Sequence, residues 1–328
     1  MKKNIVILTA GVGNGHKTAA FGIKKNLNDV QNINSIEVID ITEVYLVGKI
    51  VKFIFDNSSF WLLEKIYTIT NKPKFSWFDK IFINICFYNV NKKLKNMSNL
   101  EIYVTFPMLQ LLDICFEKNV KTIIQATDFY TPHFSWAWNS ENVSEIRVLD
   151  AHAKKYLLQN IESLNTIENK NKIIISEFPL TINKKNITNR ADRAGRENRE
   201  NRENKTILCF FHNVLLGNEE EIIQKIQNVK EYKNYKIIIL AGKNYAKIQK
   251  FVCVQNKSNC EILHWVDTSK MTTYCNNAEI VAGKCGGAFI AEVVKLQKKL
   301  IITGIFSVQE EGNFEYINKY YSDLLVDI

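Results

Sequence analysis

Twice in this chain a short apolar run ends in a glycine turn that opens a helical pattern. Near the N-terminus, Ile5 to Thr9 leads into Gly11-Val12-Gly13-Asn14-Gly15-His16. In the second half, Ile280 to Ala282 leads into Lys284-Cys285-Gly286-Gly287-Ala288-Phe289-Ile290-Ala291-Glu292, with Gln309-Glu310-Glu311-Gly312-Asn313 downstream. A strand–glycine–helix corner presents unpaired backbone N–H groups and the positive end of a helix dipole, and so suits an anion. One such corner in each half predicts two α/β domains facing a cleft.

The spacing of apolar runs carries this further. Asn4 to Thr9, Ser35 to Ile39, Leu100 to Val104, Lys121 to Gln125, Glu145 to Leu149 and Lys172 to Ser176 read as short buried strands, with a helix from His16 to Leu27. Thr206 to Phe211, Lys236 to Ala241, Glu261 to Leu263, Ile280 to Ala282, Lys299 to Thr303 and Leu324 to Asp327 repeat the logic. Strands alternating with helices predict doubly wound parallel sheets. The expected division is 1–180 and 206–328. Between them Lys184 to Lys205 holds the repeat Arg196-Glu197-Asn198-Arg199-Glu200-Asn201-Arg202-Glu203-Asn204. Nothing in it can be buried, so a linker or surface insertion is expected over 181–205.

The chain has 328 residues and 46% hydrophobic content, enough for two cores. Its net charge of +9 favours anionic partners without choosing among nucleic acid, membrane and phosphorylated ligands. The seven cysteines form no C-x-x-C pair and fit a reducing compartment. No run of about 18 apolar residues predicts a membrane-spanning helix. His133, His152 and His264 show no metal-ligand spacing.

One region departs from the pattern. Between Val47 and Lys95, large apolar side chains including Phe60, Trp61, Phe75, Trp77, Phe78, Phe82 and Tyr88 interleave with Lys49, Lys52, Lys65, Lys72, Lys74 and Lys80. Such a helix can lie in a bilayer interface, with about 1 kcal/mol from each lysine at an anionic surface. The plainer reading is an amphipathic helix pair packed on its own sheet, and both stand.

Together these motifs resemble the family 28 glycosyltransferases, in particular the diacylglycerol glucosyltransferases and monogalactosyldiacylglycerol synthases, with the lipid II N-acetylglucosaminyltransferase more distant. The likeness rests on Leu8-Thr9-Ala10 with Gly13-Asn14-Gly15-His16 and Ala19-Ala20, and on Thr105-Phe106-Pro107-Met108 and Thr127-Asp128-Phe129. In the second half it rests on Gly242-Lys243-Asn244, the turn from Lys284 to Glu292, and Gln309-Glu310 with Asn313. The resemblance implies a GT-B fold, with an N-terminal acceptor and membrane-binding domain and a C-terminal nucleotide-sugar domain. It implies inverting transfer of a hexose from a UDP-sugar to a membrane lipid, with diacylglycerol as the expected acceptor, on the cytoplasmic face of the inner membrane. No cofactor or divalent metal is implied, and the chain contains no D-x-D triplet. No nucleic-acid partner is expected. A polyprenyl-diphosphate acceptor, or a silent relative that binds lipid or nucleotide, are the alternatives.

Transfer needs a base for the acceptor hydroxyl, a clamp for the leaving diphosphate and a grip on the nucleoside. His16, in the first turn of a helix, is the candidate base, with Asp128 its rival. Gly13, Asn14 and Gly15 form the loop on the acceptor and phosphate side. Gly286 and Gly287 would cradle the diphosphate. By resemblance Glu292 binds the ribose hydroxyls, Gln309 and Glu310 bind the sugar, Asn313 supports their loop, Val266 contacts the uracil through its backbone, and His212 sits in a second phosphate loop. The pattern also departs from the family. Cys285 and Phe289 stand where proline and threonine are usual, Phe210 and Phe211 replace a glycine, and Glu177-Phe178-Pro179 replaces a glycine turn. The family continues with helices past the position of Ile328.

Overall fold

The computed structural model describes residues 2–11, 15–44, 48–50, 52–53, 60–74, 76–164, 166–181, 205–211, 218–254, 259–264, 266 and 268–328. The expected linker over 181–205 lies almost wholly outside them. The chain divides into two units. The first comprises Met1–Thr181, Gly286–Ala288 and Ser307–Tyr316, and the second Ile182–Cys285, Phe289–Phe306 and Ile317–Ile328.

The first unit holds a six-stranded parallel sheet. Its strands are β1 (Lys3–Thr9), β2 (Ile33–Asp40), β3 (Leu100–Val104), β4 (Lys121–Gln125), β5 (Glu145–Val148) and β6 (Ile173–Ile175), in the order β2-β1-β3-β4-β5-β6. Period-two packing explains the strands. Val6, Leu8, Ile102, Val104 and Ile124 fill one core, while Ile5, Ile7, Tyr103 and Ile123 fill the other. Burial on both faces is why these runs read as continuously apolar rather than alternating. The chain reverses its direction of sheet growth at β1, which lies between β2 and β3. Ligands of such sheets enter at that switch point, beyond the strands' C-terminal ends.

Helix α1 (Gly15–Leu27) leaves β1 at the switch point. Its first turn carries no acidic residue, and Lys24 and Lys25 complement its C-terminal end. One carboxylate fixes the corner. Asp40, at the end of β2, accepts from the Gly11 N–H (3.0 Å) and the Thr42 N–H (2.9 Å) and pairs with Lys17 on α1 (2.7 Å). Lys17 also bonds Glu43. Further along, a Cβ on Gly22 would stand 1.9 Å from the Pro179 carbonyl oxygen, so glycine lets that segment lie directly on α1.

Next come α2 (Ile41–Val44), α3 (Phe60–Thr70), α4 (Trp77–Cys86) and α5 (Tyr88–Lys95). A capping box of Ser76 and Asp79 starts α4. That helix turns Ile83 and Asn84 inward; the Asn84 amide donates to the Leu111 carbonyl (2.9 Å). Its other face stays bare: Trp77 is 68% exposed, Phe78 73%, Phe82 62% and Ile85 72%. After β5, α6 (Ala151–Asn160) is N-capped by Asp150 and α7 (Ile167–Lys172) by Thr166.

The second unit holds a five-stranded parallel sheet in the order β11-β10-β7-β8-β9. Its strands are β7 (Thr206–Phe210), β8 (Lys236–Leu240), β9 (Cys260–Leu263), β10 (Ile280–Lys284) and β11 (Lys299–Gly304). Helices α8 (Glu219–Asn228), α9 (Tyr245–Val254), α10 (Thr268–Asn277), α11 (Gly287–Leu296) and α12 (Ser307–Tyr320) connect and follow them. The growth direction reverses at β7, between β8 and β10, and α11 leaves the neighbouring β10. The strand expected over Leu324 to Asp327 does not form. Leu324 ends a 3-10 turn, and the segment touches the sheet through one bridge from Leu325 to Leu300. Val326 and Ile328 pack against the core that includes Ile301 instead.

Candidate functional site

His16 sits in the first turn of α1 with its ring enclosed by three neighbours. Phe106 meets it edge-on at 5.1 Å between centroids, and Trp136 lies tilted at 6.0 Å. The Thr127 hydroxyl lies 3.3 Å from its Nδ1. Thr105 Oγ1 donates to the His16 carbonyl (3.1 Å), tying the first turn of α1 to the end of β3. Burial disfavours the imidazolium and lowers the His16 pKa to about 4, partly offset by the Thr105 carbonyl facing the ring. The ring is therefore neutral at pH 7, as a base must be.

Thr127 and Asp128 follow β4. Thr127 is buried and Asp128 half-buried. The α11 turn lies against this segment. A Cβ on Gly287 would fall 1.9 Å from the Thr127 carbonyl oxygen and 3.3 Å from the Asp128 Cα. Glycine is obligatory there for packing, in addition to the phosphate role the sequence suggested. Gly286 differs: a Cβ there would meet only Glu310 Oε1, at an ordinary contact distance of 3.9 Å, so packing does not demand glycine at this position. Gly15 lies close to the same turn, since a Cβ placed on it would stand 3.6 Å from the Ala288 Cβ.

Gln309, Glu310 and Asn313 are buried, at 4%, 6% and 0% exposure. They stand on the first two turns of α12, not in a loop. Asn313 Oδ1 accepts from the Phe129 N–H at 2.7 Å, which is how it supports the site. Gly312 permits the approach, since its Cβ would lie 2.0 Å from Thr131 Oγ1, and Phe129 stacks on Tyr316 at 4.2 Å. His16, Asp128, Gly286, Gly287, Gln309, Glu310 and Asn313 all belong to the first unit.

Glu292 belongs to the second unit. It shares an apolar crevice with Phe210, Cys275, Val281, Phe289, Val293, Leu296 and Lys298. Burial raises its pKa to about 7. Burial also pushes the Cys275 thiol up to about 12, and the Glu292 charge adds to that rise. Phe289, a departure from the resembling pattern, is accommodated in the chain itself. A Cβ on Gly283 would stand 2.7 Å from Phe289 Cζ, so the ring occupies the space glycine leaves on β10, beside Phe210 at 5.3 Å.

Val266 is half-buried. Gly13, Asn14, His212 and Phe75 lie outside the described residues, as do the side chains of Phe60 and Trp61 at the start of α3. Trp77 and Phe78 are on the exposed face of α4. His133 is buried with Nδ1 2.5 Å from Ser135 Oγ and Nε2 3.3 Å from Thr70 Oγ1, a structural arrangement. Sequence reasoning missed Thr105, Thr127, Phe106 and Trp136 as the enclosure of His16, Asp40 as the clamp on Gly11, and Ile85 in the exposed face. Asp40 left a signal, a carboxylate ending the strand beside a glycine corner. The others are assembled by tertiary contact.

Residues 218–311 match the glycosyltransferase family 28 C-terminal domain. No curated protein sequence matches the chain. Among solved structures it is similar to Acinetobacter baumannii MurG, at 10% identity and TM-score 0.57, covering 96% of this chain and 83% of that one. It is similar to Staphylococcus aureus MnaA, solved with UDP, at 12% identity and TM-score 0.57, covering 98% and 89%. A UDP-GlcNAc 2-epimerase from Neisseria meningitidis, bound to UDP-GlcNAc, aligns at 12% identity and TM-score 0.52 over 98% and 92%. At such identities the likeness establishes the fold, which is GT-B.

Proposed function

We propose that this protein is an inverting glycosyltransferase that moves a hexose from a UDP-sugar to a membrane lipid, with diacylglycerol as the acceptor. The observation that carries the reading is the meeting of a neutral, enclosed imidazole and a glycine-opened helix N-terminus on one short segment, Thr127–Asp128. The family 28 domain match over 218–311 and the UDP and UDP-GlcNAc in the similar structures support a UDP-sugar as donor.

The chemistry follows from the placement. His16 takes the proton of the acceptor hydroxyl as its oxygen forms a bond to the sugar C1. The C1–O bond to the diphosphate breaks, and UDP leaves with the electron pair. Charge growing on the diphosphate falls at the α11 N-terminus beside Gly286, whose backbone no side chain shields and where the helix's first turn holds no carboxylate. Helix N–H groups and the dipole take that charge in this reading, with no metal. Glu292, as a carboxylate, accepts hydrogen bonds from the ribose hydroxyls, and Gln309 and Glu310 bind the hexose. Asp128 orients the acceptor hydroxyl.

The lipid acceptor rests on α4. Trp77, Phe78, Phe82 and Ile85 cover an arc of about 140° of that helix, and all are more than half exposed. Lys74, whose side chain is 70% exposed and 2.9 Å from Glu162, and Lys72 stand beside it. Among the described residues no helix is long and apolar enough to cross a membrane, so α4 would lie in the interface. Epimerisation of a soluble nucleotide sugar gives this bare aromatic face no task, which argues against that second reading.

The test is transfer from labelled UDP-sugars to vesicles that contain diacylglycerol and anionic lipid. Labelled glycolipid from one donor, lost in His16→Ala with UDP binding kept, is the expected result. Epimerisation of UDP-GlcNAc without any lipid product would replace the reading.

A further inference from the structure

Thr127 stands in the resembling motif without a role, while its neighbour Asp128 takes one. Its hydroxyl is 3.3 Å from His16 Nδ1. Its main chain is held from the other side, because Gly287 packs directly on its carbonyl oxygen. It is 2% exposed. The imidazole is fixed in the remaining directions by Phe106, by Trp136 and by the bond from the Thr105 hydroxyl to the His16 carbonyl.

A neutral imidazole carries one N–H and one bare nitrogen, and a base works through the bare one. Free imidazole side chains favour the hydrogen on Nε2, which would leave the wrong nitrogen bare if Nδ1 is the one turned into the protein. The nitrogen beside Thr127 is Nδ1. We propose that Thr127 is the positioning residue for His16: Nδ1–H donates to its hydroxyl oxygen, which holds the less common tautomer and leaves Nε2 bare toward the acceptor. This rests on the reading of His16 as the base. Because the Gly287 turn packs on the same residue, Thr127 sets the base and the diphosphate cradle in one register.

The experiment is nitrogen NMR of the full chain with 15N-labelled histidine at pH 7, the His16 signals assigned by their loss in His16→Gln. The expected wild-type spectrum shows His16 protonated at Nδ1 and bare at Nε2. Thr127→Val, which replaces the hydroxyl by a methyl of the same shape, moves the populations toward Nε2–H, and Thr127→Ser keeps the wild-type pattern. Thr127→Ala reads the same effect if valine disturbs the packing. In transfer assays Thr127→Val lowers kcat by roughly tenfold with the donor KM within about twofold. A wild-type Nε2–H tautomer, or a tautomer unmoved in both Thr127→Val and Thr127→Ala, overturns the proposal. Full transfer by His16→Gln would instead remove the base reading and leave the tautomer result standing.

Discussion

The carbonyl oxygen of Thr127 occupies the space a side chain on Gly287 would need, 1.9 Å from where its Cβ would stand. The neighbouring Gly286 meets nothing nearer than Glu310 Oε1 at 3.9 Å. The two glycines of one turn therefore do different work. Gly287→Ala should destabilise the fold by about 2 kcal/mol or more, since the obstructing atom is backbone. Gly286→Ala should melt within about 2 °C of the parent yet bind UDP at least tenfold more weakly, because the methyl would shield the backbone from the diphosphate. Calorimetric melting with UDP titration separates them.

His16 gives stability a pH signature. Its folded pKa, about 4, lies below the ordinary histidine value of 6.5. As pH falls from 6.5 toward 4 the unfolded chain takes a proton that the folded protein refuses, so stability drops across that window. His16→Gln should remove this part of the acid sensitivity while lowering kcat by about 100-fold or more. Denaturant midpoints at about pH 7 and about pH 5 for both proteins check it.

Glu292 has the opposite sign. Its folded pKa, about 7, lies above the ordinary glutamate value of 4.5, so between those values the folded protein keeps a proton the unfolded chain has lost. Stability from this group is present below 4.5, declines as pH rises, and is gone above 7. Glu292→Gln should therefore be more stable than the parent at about pH 8, by roughly 2 kcal/mol, and equal to it near about pH 4. It should also lose most donor affinity, the expected trade at a binding site. A stabilised variant that keeps its UDP affinity would remove Glu292 from the site.

The exposed face of α4 can be changed without touching a core. Trp77→Ser with Phe82→Ser should leave the melting temperature nearly unchanged, because 68% and 62% of those residues already face solvent. Sedimentation with anionic vesicles should fall by about tenfold or more. Equal vesicle binding by the double variant would remove α4 as the membrane element.

Strands such as Leu100–Val104 and Lys121–Gln125 were legible to the residue, because burial on both faces writes an unbroken apolar run. Leu324 to Asp327 was equally apolar but short, and a chain end that packs against a core looks the same in sequence as one that joins the sheet. The strand before each glycine turn and the helix after it were legible from local pattern. The enclosure of His16 was not, because Thr105 and Thr127 stand in recognisable motifs that do not say they meet the ring, and Trp136 comes from a distant segment with no motif at all. Phe289 read as a defect in the turn until Gly283, six residues earlier, showed where its ring goes. Gln309 and Glu310 were recognised, yet their place on the first turn of α12 needed the structure, since no capping residue marks that helix start.

Transfer to lipid through His16 is tested most directly by one assay. Purified protein is given labelled UDP-glucose or UDP-galactose and anionic vesicles with diacylglycerol, beside His16→Gln. The predicted result is labelled glycolipid from one donor, and a loss of about 100-fold or more in the variant with UDP affinity unchanged. Glycolipid formed equally well by His16→Gln, or no UDP binding by the parent, would contradict it.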